Sequence, residues 1–298
     1  MKKAILMYNP KAGNRQIINL VDHIAERLQE LGYELRLYRS QSKGSIRKYI
    51  VDHLEEKELD LIIVSGGDGT INEVVNGMMQ KEIDIPILVL PLGTANDFAY
   101  SAHIPNDIEE ALNLIECGEI KYVDIGKVNN QYFINVCNMG LFSGISHIVD
   151  LELKKKFGKL AYYVKGFEEL QNYQAMDLEI ELPDIKIRGD YILILVFNGK
   201  AAGGFTRLAK NASIEDGEFD IIGIKKVEIH DIPMLFLKVL QGEHLTDPNI
   251  DYWVTNRVNI RCYNEEKNFV TDVDGEEGPK FPLSIEAKQN LLRFYLKK

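Results

Sequence analysis

The densest chemistry in the chain is the run Ser65-Gly66-Gly67-Asp68-Gly69-Thr70-Ile71-Asn72-Glu73. It follows an apolar stretch at 61–64 and precedes apolar residues at helical spacing over 71–79, so it reads as a strand-to-helix turn. Glycines let the backbone approach a ligand, and the first turn of a helix offers unpaired N–H groups to phosphate. Thr70 and Asn72 can add side-chain hydrogen bonds. Asp68 differs, because a carboxylate inside a phosphate cradle repels the ligand unless a divalent cation stands between them, which points to Mg²⁺. The competing reading is a plain tight turn. The run lacks the GxxxxGK[ST] pattern, which excludes the ordinary P-loop.

Two further loops occupy equivalent places. Asn9-Pro10-Lys11-Ala12-Gly13-Asn14 follows the apolar run 4–8, and Pro91-Leu92-Gly93-Thr94-Ala95-Asn96-Asp97-Phe98 follows 85–90. If these runs are parallel strands, all three loops open on the carboxyl edge of one sheet, where ligands of open α/β folds bind. Singly each is equally a helix-capping turn; together they describe a nucleotide cleft. Near the other end lies Phe269-Val270-Thr271-Asp272-Val273-Asp274-Gly275-Glu276-Glu277-Gly278. Strand alternation places Asp272 and Asp274 on one face, with Glu276 following if Gly275 keeps the pleat. Stacked carboxylates repel, so they suit a cation or proton-accepting work. A solvated acidic hairpin tip is the other reading.

The elements that must position these loops alternate over the first 120 residues or so. Apolar runs at 4–8, 61–64 and 85–90 and the alternation of Tyr33, Leu35 and Leu37 read as strands; Ile17, Val21, Ile24, Leu28 and Leu31, then Ile46, Ile50 and Leu54, mark helices between them. Ile108, Ala111, Leu112 and Ile115 mark another. That grammar predicts a parallel sheet covered on both faces, a three-layer α/β domain. After about residue 122 short alternating strands dominate, at 122–128, 132–136, 178–182, 191–197, 219–224, 254–262 and 268–273, with helical patches at 143–173 and 229–243. This predicts a β-rich second domain, a sandwich, with a cleft between the two. The last run, 291–296, can pair with either sheet.

Composition narrows the classes. The 298 residues are 45% hydrophobic and 27% charged with a net charge of −10, an ordinary globular profile without the basic surface general nucleic-acid binding needs. Three cysteines, Cys117, Cys137 and Cys262, have no metal or disulfide spacing, and no histidine pair has ligand spacing. The start has too short an apolar run for a signal peptide and no stretch approaches a membrane span, so a cytoplasmic protein is expected.

The order Asn9-Pro10-x-x-Gly13, Gly66-Gly67-Asp68-Gly69-Thr70-Ile71-Asn72-Glu73, Pro91-Leu92-Gly93-Thr94-x-Asn96-Asp97-Phe98 and Asp274-Gly275-Glu276 resembles the soluble diacylglycerol kinase family, which includes bacterial lipid kinases and the sphingosine and ceramide kinases. The resemblance spans the chain. GGDGT alone is shared with NAD kinases and phosphofructokinases, whereas PLGTxNDF with the late DGE is far more specific; Ala95 stands where the family usually has glycine or another small residue. The resemblance implies ATP in the cleft, contacted by Asn9, Pro10, Lys11, Ala12, Gly13, Ser40, Gly66, Gly67, Asp68, Gly69, Thr70, Ile71, Asn72 and Thr94. It implies that Glu276 is the proton acceptor. Independently of the resemblance, phosphoryl transfer needs neutralised phosphate charge, which Mg²⁺ held near Asp68 and Asp97, directly or through waters, would supply. The resemblance also implies a structural metal loop in Asn211-Ala212-Ser213-Ile214-Glu215-Asp216-Gly217-Glu218, with Asp216 ligating by its carboxylate and Ser213 and Glu218 by backbone oxygens.

The expected division is an ATP-binding domain over 1–122, joined by 288–298, and a lipid-substrate domain over 123–287. The stretch 151–165 holds five lysines against one glutamate. Lys154, Lys155, Lys156 and Lys159, interleaved with aromatic residues, suit peripheral contact with an anionic membrane face, though a solvated helix face reads equally well. The expected activity is transfer of the γ-phosphate of ATP to a lipid hydroxyl, with diacylglycerol first. The alternatives are an NAD kinase-type phosphotransferase and a non-catalytic nucleotide- or lipid-binding regulator. Homodimerisation is compatible with the sequence and not specified by it.

Overall fold

The computed structural model describes residues 1–141 and 174–298. The basic stretch with Lys154, Lys155, Lys156 and Lys159 lies outside the described residues. Four parallel strands, β1 (Lys2–Tyr8), β2 (Tyr33–Arg39), β3 (Leu61–Gly66) and β4 (Ile87–Pro91), run in the order β2-β1-β3-β4. Every residue of β3 and β4 is buried, because helices cover both faces of the sheet. Helix α1 (Gln16–Glu30) shares one face with α5 (Ile108–Leu112) and α6 (Leu114–Cys117), tied by the His23–Glu109 pair and by Arg27 to Asn113 and Glu116. Helices α2 (Ser45–His53) and α3 (Asp68–Lys81) pack together on the other. The chain reverses its winding between β1 and β3, so the carboxyl edge there is the crevice that α/β sheets use for ligands. Helix α4 (Asp97–Ser101) lies beyond β4.

The second half is antiparallel. Strands β5 (Glu119–Val128), β6 (Gln131–Phe133), β7 (Val136–Gly140), β8 (Met176–Glu181), β9 (Lys186–Phe197), β10 (Phe219–Lys225), β11 (Ile250–Thr255) and β12 (Arg257–Cys262) are followed by β13 (Thr271–Val273), β14 (Glu276–Glu277) and β15 (Leu283–Leu296). The long strand β9 pairs with β8 along its first half and with β7 and β10 along its second. The two wings it joins share one apolar core containing Phe133, Met139, Ile180, Ile194, Ile221, Ile260 and Ile285, which is a sandwich. A second apolar layer, with Phe197, Ile222, Ile232 and Leu235, lies under α7 (Ile232–Gln241).

Strand β15 joins the halves. It pairs with β5 on both sides of a bulge; its first part also pairs with β12, and its last part, through Phe294 opposite Ile87, lies parallel to β4. The register shifts between Lys288 and Leu292, where Asn290 has φ of +57°, so a bulge turns the strand from one core to the other. Phe294 packs against Phe98 in the α/β core. The final run therefore serves both sheets.

Several expected strands are shorter, for visible reasons. The run 132–136 splits because the N–H groups of Ile134, Asn135 and Val136 turn to the Asp274 carboxylate. The run 254–262 breaks at Asn256, between β11 and β12. Asp272 and Asp274 do not share a strand face: Asp274 (φ +52°) and Gly275 (φ +84°) form the left-handed turn between β13 and β14.

Candidate active site

The three glycine-bearing loops meet at the carboxyl edge of the parallel sheet. Asn9 N–H donates to the Ser65 carbonyl at 3.0 Å, and Leu92 N–H to the Gly66 carbonyl at 3.1 Å, so neighbouring strand ends hold the loops side by side. Gly67 and Gly93 touch backbone to backbone; a Cβ on Gly67 would stand 3.1 Å from the Gly93 Cα. The Asn96 side chain accepts from Gly93 N–H at 2.8 Å and fixes the third loop. Lys11 and Thr94 are exposed at the rim. Ser40 follows β2; its N–H donates to the Tyr8 carbonyl at 2.9 Å, and its hydroxyl meets that of Ser45 at 3.1 Å.

Not every residue of the cradle faces outward. Ile71 is buried and its N–H donates to the Gly67 carbonyl. The Asn72 amide points to the second domain, donating to Asp274 Oδ2 at 2.8 Å and to the Tyr132 carbonyl at 3.2 Å. Asn76, one turn on, donates to the same carbonyl and accepts from Tyr132 N–H. The Asn72 side chain, expected at the ligand, thus ties the two domains together.

The carboxylates are arranged in series. Asp68 Oδ1 accepts from Phe98 N–H at 2.9 Å and from Asn135 Nδ2 at 3.0 Å, joining the first cradle to the third loop and to the β-rich domain. Asp97 is buried, and its two oxygens accept from Gly204 N–H, at 2.9 and 3.2 Å. Burial, then the nearby charge of Asp68, pushes its carboxyl up to about 7, although the Gly204 and Gly203 N–H groups pull the other way. Asp274 receives four hydrogen bonds, from the N–H groups of Ile134, Asn135 and Val136 and from Asn72, and burial still raises it to about 6. Asp272 accepts from Asn138 and from Gly275 N–H, which sets the turn that presents Glu276. Glu276 is half-exposed and pairs with Lys43 from the loop after β2.

The expected metal loop is self-capped. Ser213 Oγ accepts from Glu215 N–H at 3.2 Å and Asp216 Oδ1 from Glu218 N–H at 3.1 Å. Gly217 N–H donates to Asp124 Oδ2 at 2.5 Å. Asp124, on β5, is buried and held above the usual carboxylate range by that burial, with Asp216 and Glu215 adding to the effect. Such mutual repulsion fits a cation between Asp124 and the Asp216 loop. Among the described residues no three His, Cys, Asp or Glu side chains converge as a ligand set, so backbone oxygens such as those of Ser213 and Glu218 would have to complete it.

Asn135, Asn198 and Asp124 escaped the sequence reading. Each is a polar residue within or ending an apolar strand run, and that interruption is the signal that could have found them. Asn198 is fully buried and donates to the Asp124 and Ile134 carbonyls, and its N–H donates to the Asn135 carbonyl. It links the site to the metal loop's foundation.

Residues 3–128 match the family model described as the diacylglycerol kinase catalytic domain, and residues 136–296 that described as the YegS C-terminal NAD kinase beta sandwich-like domain. A Staphylococcus epidermidis protein named diacylglycerol kinase is 34% identical over 95% of this chain and 89% of its own length. One of that name from Bacillus subtilis is 35% identical over 95% and 92%. A crystal structure described as a diacylglycerol kinase from Bacillus anthracis superposes with a TM-score of 0.79 at 28% identity, covering 99% of this chain and 97% of that one. Another chain from that organism gives 0.83 at 30% identity, covering 99% and 95%. The glycine cradle with its bridging Asp68, the acidic turn opposite it and both family models occur here in one chain order, and the chain belongs to the diacylglycerol kinase family of lipid kinases, enzymes that phosphorylate an alcohol acceptor.

Proposed function

We propose that this kinase transfers the γ-phosphate of ATP to the free hydroxyl of a membrane lipid, with Mg²⁺, and that the acceptor is diacylglycerol, giving phosphatidic acid. The observation that supports the reading is the turn that carries Glu276: Asp274 in that turn accepts from Asn72 of helix α3, whose first turn belongs to the glycine cradle, and Glu276 is half-exposed beside Lys43. Phosphoryl transfer needs in-line positioning, neutralised phosphate charge and a carboxylate to receive the alcohol's proton.

In this reading residues 9–13, 66–70, Ser40 and Thr94 hold the nucleotide, with Ile71 and Asn72 shaping the cradle from behind. Asp68 and Asp97 would hold Mg²⁺, which when bound neutralises the β- and γ-phosphates. Glu276 accepts the hydroxyl proton as the phosphoryl group departs. The Ser213–Asp216–Glu218 loop, with Asp124 beneath it, would hold a second cation with a structural role. Residues 1–122 with the end of β15 form the nucleotide domain, and 123–287 the acceptor domain. A cytoplasmic enzyme working at the inner membrane face fits these assignments; among the described residues no helix is long and apolar enough to cross a membrane.

Labelled phosphate transfer from Mg·ATP by pure protein tests the reading, with mixed micelles of diacylglycerol, prenol, sphingosine or phosphatidylglycerol, and soluble NAD, as acceptors. Transfer to diacylglycerol, with Glu276→Gln retaining nucleotide binding and losing most turnover, is the expected result. Transfer to NAD alone moves the chain's activity to the related phosphotransferases, and full activity in Glu276→Gln removes the base assignment.

A further inference from the structure

The loop that brings Lys43 to Glu276 is clamped at its root. The two oxygens of Glu73, on α3, accept the N–H groups of Gly44 at 2.9 Å and Ile46 at 3.0 Å, at the start of α2. Gly44 has φ of +78°, a conformation that glycine tolerates and that turns the chain sharply there. At the other end of the loop, Ser40 N–H on the Tyr8 carbonyl seats the segment beside Asn9 and the first nucleotide loop. From this fixed base the Lys43 side chain reaches out of one domain, and its Nζ pairs with Glu276 Oε2 of the other. The pair is open to solvent, with Lys43 69% and Glu276 33% exposed.

We propose that Lys43 is a positioning residue that changes partners: it holds Glu276 while the nucleotide site is empty, and the phosphates of the arriving nucleotide draw it away. The inference rests on the reading above of where nucleotide binds and which carboxylate is the base. While the ammonium sits on Oε2 the lysine sets the orientation of the carboxylate, and transfer of Lys43 to the phosphates frees both oxygens of Glu276 for the acceptor hydroxyl. The exchange is physically easy. An exposed ion pair is worth little, a triphosphate with its several charges outcompetes one carboxylate for the same cation, and the Glu73 clamp limits the movement to the lysine stem. The device leaves Glu276 free to meet the acceptor hydroxyl only when nucleotide is bound.

The prediction is a coupling between two residues in nucleotide binding, read without turnover. Titration calorimetry with Mg²⁺ and a non-hydrolysable ATP analogue is carried out on the unaltered protein, Glu276→Gln, Lys43→Met and the double variant. Glu276→Gln frees the lysine and tightens binding about two- to fivefold, the range expected for breaking a half-exposed pair. In the Lys43→Met background the same substitution changes nothing, and Lys43→Arg restores the coupling. Equal effects of Glu276→Gln with and without the lysine overturn the inference while leaving the nucleotide site intact. Absence of analogue binding by the unaltered protein overturns the nucleotide reading itself, and the inference with it. Both side chains are exposed enough that neither substitution empties a core.

Discussion

Asn135 and Asp68 are bonded across the boundary between the two domains: Nδ2 of the first donates to Oδ1 of the second at 3.0 Å. Asn135 is itself held by its main-chain N–H on Asp274 at 2.9 Å. The carboxylate in the glycine cradle is therefore oriented by the β-rich domain, through the acidic turn that carries Glu276. The bond separates the structural and the electrostatic work of Asp68. In Asp68→Asn the remaining carbonyl oxygen can still accept from Phe98 and Asn135, so urea unfolding is expected to move by less than about 1 kcal/mol. Turnover should fall by about 100-fold or more, as for other lost charge-stabilising groups. Asp68→Ala abandons both donors and should lose about 1–3 kcal/mol in addition. Equal stability losses in the two variants would dissolve the distinction.

The glycines of the cradle serve two purposes, and substitution tells them apart. A Cβ on Gly93 would collide with the Gly67 backbone and stand 2.6 Å from Asn96 Oδ1, whereas one on Gly69 would meet nothing within 4 Å. Gly93→Ala should force the loops apart, lowering stability by about 1–3 kcal/mol and nucleotide affinity together. Gly69→Ala, in the first turn of α3, should leave stability unchanged or raise it by about 0.5–1 kcal/mol. If the backbone there lies against phosphate, Gly69→Ala nevertheless weakens nucleotide binding. Thermal melts with and without nucleotide check both, and a Gly69→Ala protein with unaltered affinity would place the phosphates elsewhere.

Asp97 should make the metal-free protein more stable in mild acid. Its folded carboxyl is pushed up to about 7, chiefly by burial and then by Asp68, whereas an unfolded aspartate titrates near about 3.9. Between those values the folded state holds the proton more tightly, so the slope of unfolding free energy against pH is negative. Stability is gained as pH falls through about 7 and lost as it rises. From about pH 8 to about pH 5.5 the contribution is about 2 kcal/mol. Denaturant unfolding in the presence of a chelator at those two values, compared with Asp97→Asn, isolates it. The unaltered protein should gain relative to the variant; an equal response in both would show that Asp97 is charged throughout.

Much of this site was legible because its parts are contiguous in the chain. Gly66–Thr70 and Gly93–Phe98 carry their geometry in local turn chemistry, and the strands before them announce themselves by continuous burial. The parts that stayed hidden are set by partners far away in sequence. Asp274 looked like one tooth of a strand face; its role comes from three N–H groups some 140 positions upstream, which also cut the expected strand 132–136 in two. Asn72 belongs to the cradle by position and to the domain seam by contact. Lys43 has no motif at all, since an exposed lysine is defined only by what it reaches. The double membership of β15 was half visible, as its periodicity showed a strand and its bulge at Asn290 decided that it serves both sheets.

The Asp216 loop should bind a divalent cation for stability, independently of nucleotide. Asp124 supports the loop through Gly217 N–H and is itself raised by burial and by the charges of Asp216 and Glu215, a repulsion that a cation would relieve. An ion that binds only the folded state stabilises it by about 2.7 kcal/mol at a hundred times its dissociation constant. For a domain of this size that corresponds to a rise in melting temperature of about 5–10 °C. Mg²⁺ without nucleotide should therefore raise the melting temperature of the unaltered protein, and chelation should reverse it. Asp216→Asn and Asp124→Asn should each abolish most of the rise; the second keeps a carbonyl oxygen for Gly217, so its loop stays formed. Asp68→Asn supplies the control, because a rise that depended on the cradle would vanish there and survive in the loop variants. That pattern would assign the stabilising ion to the nucleotide cleft and leave the Asp216 loop as a self-capped turn.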